Sequence, residues 1–202
     1  GKTIISGEFE DSLVQLYQQL VGSTFVSDSG LVSLKRQNFR KPKRSDLPNL
    51  NHYAKLINGE AQSITVGYTE GTRGCKHVCR HCPIVPVYNG RFFVVQPDVV
   101  MEDIRQQVEA GAEHITFGDP DFFNGPGHAL RLVESFHQEF PNLTYDVTIK
   151  IEHLLAHREK LRLLAETGCL FVTTAVEEVD DDVLSRLEKS HTRADFKEVV
   201  HA

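Results

Sequence analysis

The sequence predicts an α/β fold: a truncated, partial parallel (β/α) barrel of about four βα units, preceded by a small N-terminal remnant domain. Three observations predict it. After residue 60, short apolar runs alternate with stretches whose apolar residues recur at helical spacing. Glycines stand at the ends of several of those stretches, where helices stop. Upstream, residues 35 to 50 (KRQNFRKPKRSDLPNL) are basic and proline-bearing, the composition of a linker. The boundary falls there, with residues 1–50 holding the remnant domain plus linker and residues 51–202 the partial barrel.

Taken in order, KTIIS reads as a strand end before Gly7. Phe9, Leu13, Leu16, Tyr17 and Leu20 then lie at helical spacing, with Gly22 as the stop. STFVSDSGLVSL reads as a hairpin turning at Ser27-Asp28-Ser29-Gly30. SITVGY opens the βα series. Val100, Ile104 and Val108 share one helical face before Gly111, and HITFGD is the next strand. Ala129, Leu132, Val133 and Phe136 mark a second helix. LTYDVTIKIE, residues 143–152, alternates as one strand: Val147, Ile149 and Ile151 share one face, Asp146, Thr148, Lys150 and Glu152 the other. A leucine-rich helix over 154–166 stops at Gly168, and CLFVTTAV is the fourth strand. Val183, Leu184 and Leu187 begin the helix after it, and RADFKEVVHA opens another. Because the chain starts at Gly1 and closes on that opening helix, a fragment of a longer protein is expected. CLFVTTAV, with six apolar residues among eight and no charge, would then be an exposed edge prone to aggregation.

Composition narrows the function classes. The chain is 40% hydrophobic and 25% charged, ordinary for a soluble globular protein. No apolar run approaches the ~20 residues of a membrane span, and no signal-peptide pattern opens the chain, so a cytoplasmic, reducing setting without a membrane partner is expected. A net charge of -6 argues against nucleic acid as the main partner. The basic run Lys35, Arg36, Arg40, Lys41, Lys43 and Arg44 reads as a solvated linker, because no aromatic ladder accompanies it; contact with RNA phosphates is the alternative.

The chain has four cysteines, and three of them fall within GCKHVCRHC at Cys75, Cys79 and Cys82, spaced C-x3-C-x2-C. This is no disulfide framework. Thiolates are soft ligands that suit zinc or iron–sulfur iron. A structural zinc needs four donors, and His77 or His81 is a candidate fourth. Alternatively, three cysteines hold a four-iron cluster and leave one iron open to a small chelating molecule. In parallel α/β folds the active site lies at the carboxyl ends of the strands. This loop follows the first strand of the series, a position that favours the cluster.

YTEGTRGCKHVCRHCPI resembles the signature of the radical S-adenosylmethionine (SAM) enzymes. ITFGDPDFF falls where that family carries a Gly-Gly-Glu-Pro-like segment after its second strand, and TTAVEEVDDDVLSRLEKSHT is similar to its fourth-strand segment. The resemblance covers about residues 61–200. It implies a [4Fe-4S] cluster on Cys75, Cys79 and Cys82, with SAM chelated at the fourth iron. A one-electron reductant such as flavodoxin or ferredoxin would drive cleavage of SAM to a 5′-deoxyadenosyl radical, which abstracts hydrogen from a substrate the sequence does not name. The competing reading is a non-catalytic zinc- or metal-binding module with a Cys/His loop.

The same resemblance implies roles for further residues. Gly118 and Asp119 match the segment that takes the amino group of SAM, although Asp stands where Glu is frequent; the alternative is a turn that merely ends a strand. Glu177 matches the position that reaches the SAM ribose; the alternative is charge at the start of the next helix. His81 stands where an aromatic often packs near adenine, or is a solvated loop residue. Lys150, among the polar residues of its strand facing the lumen, would meet SAM or substrate, or pair with a neighbouring acid. Cys169 reads as a small buried hydrophobe. SGEFEDSLVQL and LPNLNHYAKL look like the end of a cobalamin-binding-like domain and the linker that follows it, which implies cobalamin in the full-length protein.

Overall fold

The computed structural model describes residues 4–22, 31–34, 36, 38–57, 59 and 61–201. The amino-terminal segment supplies β1 (Ile5–Gly7), α1 (Glu10–Val21) and β2 (Leu31–Ser33). β2 runs parallel to β1, with Ile5 opposite Leu31. The hairpin turn expected at 27–30 lies outside the described residues, as do Lys35 and the start of KTIIS. α1 ends at Gly22 as the sequence predicts, yet buries none of its residues: Leu13, Tyr17 and Leu20 remain exposed.

Next come β3 (Lys55–Ile57), β4 (Ser63–Thr69), β5 (Thr72–Gly74), α2 (Val85–Tyr88), β6 (Phe92–Val94) and α3 (Pro97–Glu109). β7 (His114–Phe117), α4 (Pro126–Glu139), β8 (Thr144–Thr148), α5 (Ile151–Ala156) and α6 (Arg158–Glu166) follow. The chain closes with β9 (Cys169–Thr173), α7 (Asp181–Arg186) and α8 (Arg193–Val200). One sheet carries the order β3-β4-β7-β8-β9. β4, β7, β8 and β9 are parallel, and β3 is an antiparallel edge on β4. This is the predicted α/β architecture of four βα units, with an extra edge strand that the sequence reading did not include.

The helices form where apolar residues recur every three or four positions. In α3, which opens on Pro97, Val100 and Ile104 are buried. In α4, which opens on Pro126, Ala129, Leu132, Val133 and Phe136 are. They cover the sheet face bearing Ile115, Phe117, Tyr145 and Val147, all essentially inaccessible. Phe117, Phe136 and Tyr145 meet edge-on, at centroid distances of 5.6 Å for Phe117–Tyr145 and 5.4 Å for Phe136–Tyr145. Each such ring contributes about 1.5–3 kcal/mol by leaving water.

Three expectations are corrected. The strand expected over 143–152 ends at Thr148; Lys150 is already the residue before α5, and Ile151 and Glu152 belong to that helix. The helix expected over 154–166 is two helices, broken at His157, whose ring stands perpendicular to Phe123 at 5.6 Å. The basic stretch is also no freely solvated linker. Arg44 forms a two-pronged ion pair with Asp103 on α3, at 2.7 and 2.8 Å, and donates to the Tyr68 carbonyl. Together with Phe39 buried in the core and Arg73 paired to Glu8 and Glu10, it fastens the amino-terminal segment to the sheet domain.

Candidate metal centre

The cysteine loop is carried on a small hairpin absent from the sequence reading: β5 pairs antiparallel with β6, Gly74 opposite Phe92. Gly74, immediately before Cys75, has φ +79, and a Cβ there would lie 2.5 Å from the Tyr88 ring. The chain therefore turns sharply into the loop under the cover of Tyr88. Cys75 and Cys79 are buried, Cys82 is partly accessible, and all three are free thiols. Burial pushes the Cys75 thiol above its ordinary range, partly opposed by the His77 backbone N–H and the nearby Lys150.

All three cysteines line one cavity of about 190 Å³, together with His77, His81, Ile84, Pro120, Thr148, Ile149, Lys150, Ala175, Glu177 and Lys189. It lies where the segments after β5, β7, β8 and β9 converge, at the carboxyl ends of the parallel strands. The Lys150 ammonium sits 3.7 Å from Cys79 Sγ and 3.4 Å from Glu152. His81 Nε2 lies 3.1 Å from Glu177, which also accepts from Lys189 at 3.1 Å. That bond from Lys189 holds the Glu177 carboxyl below its usual range against the effect of burial. Glu177 is not the cap of the next helix: Asp180 takes that role, accepting from the backbone N–H groups of Asp182 and Val183.

The structure thus brings Cys75, Cys79, Cys82, His81, Lys150 and Glu177 to one cavity. Gly118 and Asp119 stand apart from that lining. The Asp119 carboxylate turns inward, accepting from Gly71 N at 2.8 Å and Thr72 Oγ1 at 2.6 Å, and is 1% exposed. Burial raises its pKa to about 6 despite those two donors. Gly118 leaves room for Tyr68, whose hydroxyl would lie 1.8 Å from a Cβ at that position. The residue after them, Pro120, does reach the cavity.

The sequence reading missed what lies beneath the loop. His77 is flanked by Glu152, 2.9 Å from Nδ1, and by Asp121, 3.5 Å from Nε2; His153 Nδ1 is 2.7 Å from the same Asp121 oxygen. Although burial opposes it, the two imidazoles hold the Asp121 carboxyl down at about 2. The available signal was a histidine between two loop cysteines, with a Glu-His pair just past the third parallel strand.

The fold and the loop define a parallel half-barrel that presents three thiols at the carboxyl ends of its strands. The chain belongs to the radical SAM superfamily, whose family model matches residues 69–202. Among curated proteins it is similar to the hopanoid C-3 methylase of Methylococcus capsulatus, at 26% identity over 120 residues, 59% of this chain and 23% of that one. Among solved structures it is similar to the radical SAM methyltransferase TsrM from Kitasatospora setae, described with cobalamin and a [4Fe-4S] cluster bound. That match has a TM-score of 0.58 at 19% identity over 67% of this chain and 26% of the other. It is also similar to the apo form of OxsB, a cobalamin-dependent SAM radical enzyme, with a TM-score of 0.64 at 16% identity over 96% of this chain and 30% of the other. These structural likenesses show the fold. The chain spans less than a third of the length of each relative.

Proposed function

We propose that Cys75, Cys79 and Cys82 hold a [4Fe-4S] cluster, and that the cavity beside them takes SAM for reductive cleavage to a 5′-deoxyadenosyl radical. The observation that carries the reading is the single cavity lined by three thiols, an ammonium and a carboxylate at the strand ends. The donor set fits: three soft sulfur ligands and no fourth cysteine in the loop, which leaves one iron for an exogenous chelate. Bound there, the cluster supplies the single electron that breaks the carbon–sulfur bond of SAM.

The chain's own residues position and screen. Lys150, beside Cys79, places a positive charge against the thiolates and is oriented in turn by Glu152. Glu177, kept ionised by Lys189 and beside His81, offers an acceptor for the ribose hydroxyls, as the sequence resemblance implies. Asp119 supports the site at one remove: by holding Gly71 and Thr72 it fixes the strand pair that launches the loop. Pro120 and the backbone near it are then the nearest groups of that segment to bound SAM. The relatives' names point to methyl transfer and to cobalamin; both are proposals for the whole protein, as is residues 1–50 being the end of a cobalamin-binding-like domain, which the sequence resemblance implies.

The test is anaerobic reconstitution followed by iron and sulfide analysis and electron paramagnetic resonance. Four irons and four sulfides per chain, with a reduced-state spectrum that SAM alters, are expected, and Cys79→Ala should lose the signal. Zinc held through sulfur, with no acid-labile sulfide in freshly purified protein, would favour the zinc-module reading.

A further inference from the structure

Among the described residues, seven buried side-chain nitrogen or oxygen atoms make no hydrogen bond. Four of them belong to one cluster below the cysteine loop: His77 Nε2, Asp121 Oδ2, Glu152 Oε2 and His153 Nδ1. An orphaned buried polar atom gives up its hydrogen bonds to water without replacement, so four together need a reason. Short separation is not lacking. His153 Nδ1 is 2.7 Å from Asp121 Oδ2, yet neither atom completes a well-formed hydrogen bond there. Asp121 is 0% exposed and His153 5%, so bulk water does not serve them.

We infer that this cluster is a site for a divalent metal ion of the zinc class, separate from the three cysteines. His77, Glu152 and His153 each present one donor atom within 4.8 Å of the others, and Asp121 Oδ2 touches both imidazoles. Two imidazoles and the Glu152 carboxylate, with Asp121 beside both rings, form a donor set of borderline hardness, suited to zinc and its neighbours rather than to calcium or copper(I). Bonds of ~2.0–2.2 Å around a tetrahedral ion place neighbouring donors ~3.3 Å apart. The donors of His77, Glu152 and His153 lie within 4.8 Å of one another, so side-chain adjustments of up to about 1.5 Å bring them to that spacing around one ion, with Asp121 Oδ2 2.7 Å from His153 and 3.5 Å from His77. The cation also balances the buried Asp121 carboxylate and the partly buried Glu152. Its ligands come from the cysteine loop (His77), the segment after β7 (Asp121) and the first turn of α5 (Glu152, His153). A bound ion would therefore staple the loop to the ends of two strands.

The inference does not depend on what the cysteines hold. Zinc on thiolates has a sulfur shell at ~2.3 Å, whereas zinc in this cluster has only nitrogen and oxygen neighbours at ~2.0–2.2 Å. The experiment equilibrates the full, cluster-reconstituted chain with zinc, removes loose metal by gel filtration, and records zinc content and the zinc K-edge absorption spectrum. One zinc per chain in a nitrogen/oxygen shell is expected. His153→Gln and, separately, Asp121→Asn should weaken binding by at least about ten-fold while the iron content stays unchanged. The wild-type spectrum decides the point even if one variant fails to fold. No retained zinc, a sulfur shell, or unchanged binding in both folded variants overturns the inference.

Discussion

Two networks of histidine and aspartate sit at opposite ends of the same two strands. At the amino-terminal side of β7 and β8, His114 Nδ1 lies 2.7 Å from Thr144 Oγ1 and its Nε2 lies 2.9 Å from Asp146, which also accepts from Thr116 at 2.6 Å. Both nitrogens of His114 are satisfied, and its ring stacks on Phe171. At the carboxyl side, His77, Asp121, Glu152 and His153 crowd together with one atom of each unsatisfied. Each network sets a buried histidine beside an aspartate, His114 with Asp146 and His153 with Asp121. The first network is closed and needs nothing more, which marks it as structural. The second converges on a point that no protein atom fills with a hydrogen bond, which marks it as a site. Hydrogen-bond satisfaction, rather than residue type, separates the two.

The largest effect should come from breaking the closed network. Asp146→Ala leaves the buried His114 and the partly buried Thr116 without their partner and should cost about 3–5 kcal/mol in denaturant unfolding, with no change in iron or zinc content. A change in metal content would erase the distinction between the two ends.

Asp119 comes next. Its carboxyl goes from an ordinary 3.8 in the unfolded chain to about 6 in the fold, so between those values the folded state holds the extra proton. Stability therefore falls as pH rises through that window and levels off above it, by on the order of 3 kcal/mol at most. Asp119→Asn should flatten this part of the stability–pH curve. An unchanged slope in the variant would assign the titration to another group.

The open network should respond to metal instead. Zinc at about 100 times its dissociation constant should raise stability by about 2.7 kcal/mol, and a chelator should reverse the gain. In Asp121→Asn the gain should shrink or vanish. A gain of equal size in that variant would place the binding elsewhere.

The smallest effect tests the rim of the closed network. Thr144→Val removes one hydrogen bond to His114 and should cost about 1 kcal/mol, again leaving metal content unchanged.

Much of this was legible in the chain itself. Helical spacing placed α3 and α4, and short apolar runs placed β4, β7 and β9, because those patterns depend only on how a local element meets the core. The C-x3-C-x2-C spacing marked the loop, since three soft donors that close in sequence cannot be far apart in space. The limit of LTYDVTIKIE was not legible. Within ten residues, Val147, Ile149 and Ile151 fit a strand while Ile151 and Leu154 fit a helix, and only the chain's turn at Lys150 settles which applies. The β5–β6 hairpin was invisible because TRG and FFV are too short to carry a period.

By itself, then, the sequence determined the βα order, the sheet-facing residues and the cysteine loop, all set by neighbours a few positions apart. The tertiary structure alone decided that Asp119 serves Gly71 and Thr72 rather than lining the cavity, and that Arg44 fastens a basic stretch to α3. Above all, it gathered His77, Asp121, Glu152 and His153 into one place. The physical reason is common to each case. A hydrogen bond or ion pair depends on the direction and separation of two side chains, and parallel strands joined by helices bring together residues that no local pattern links.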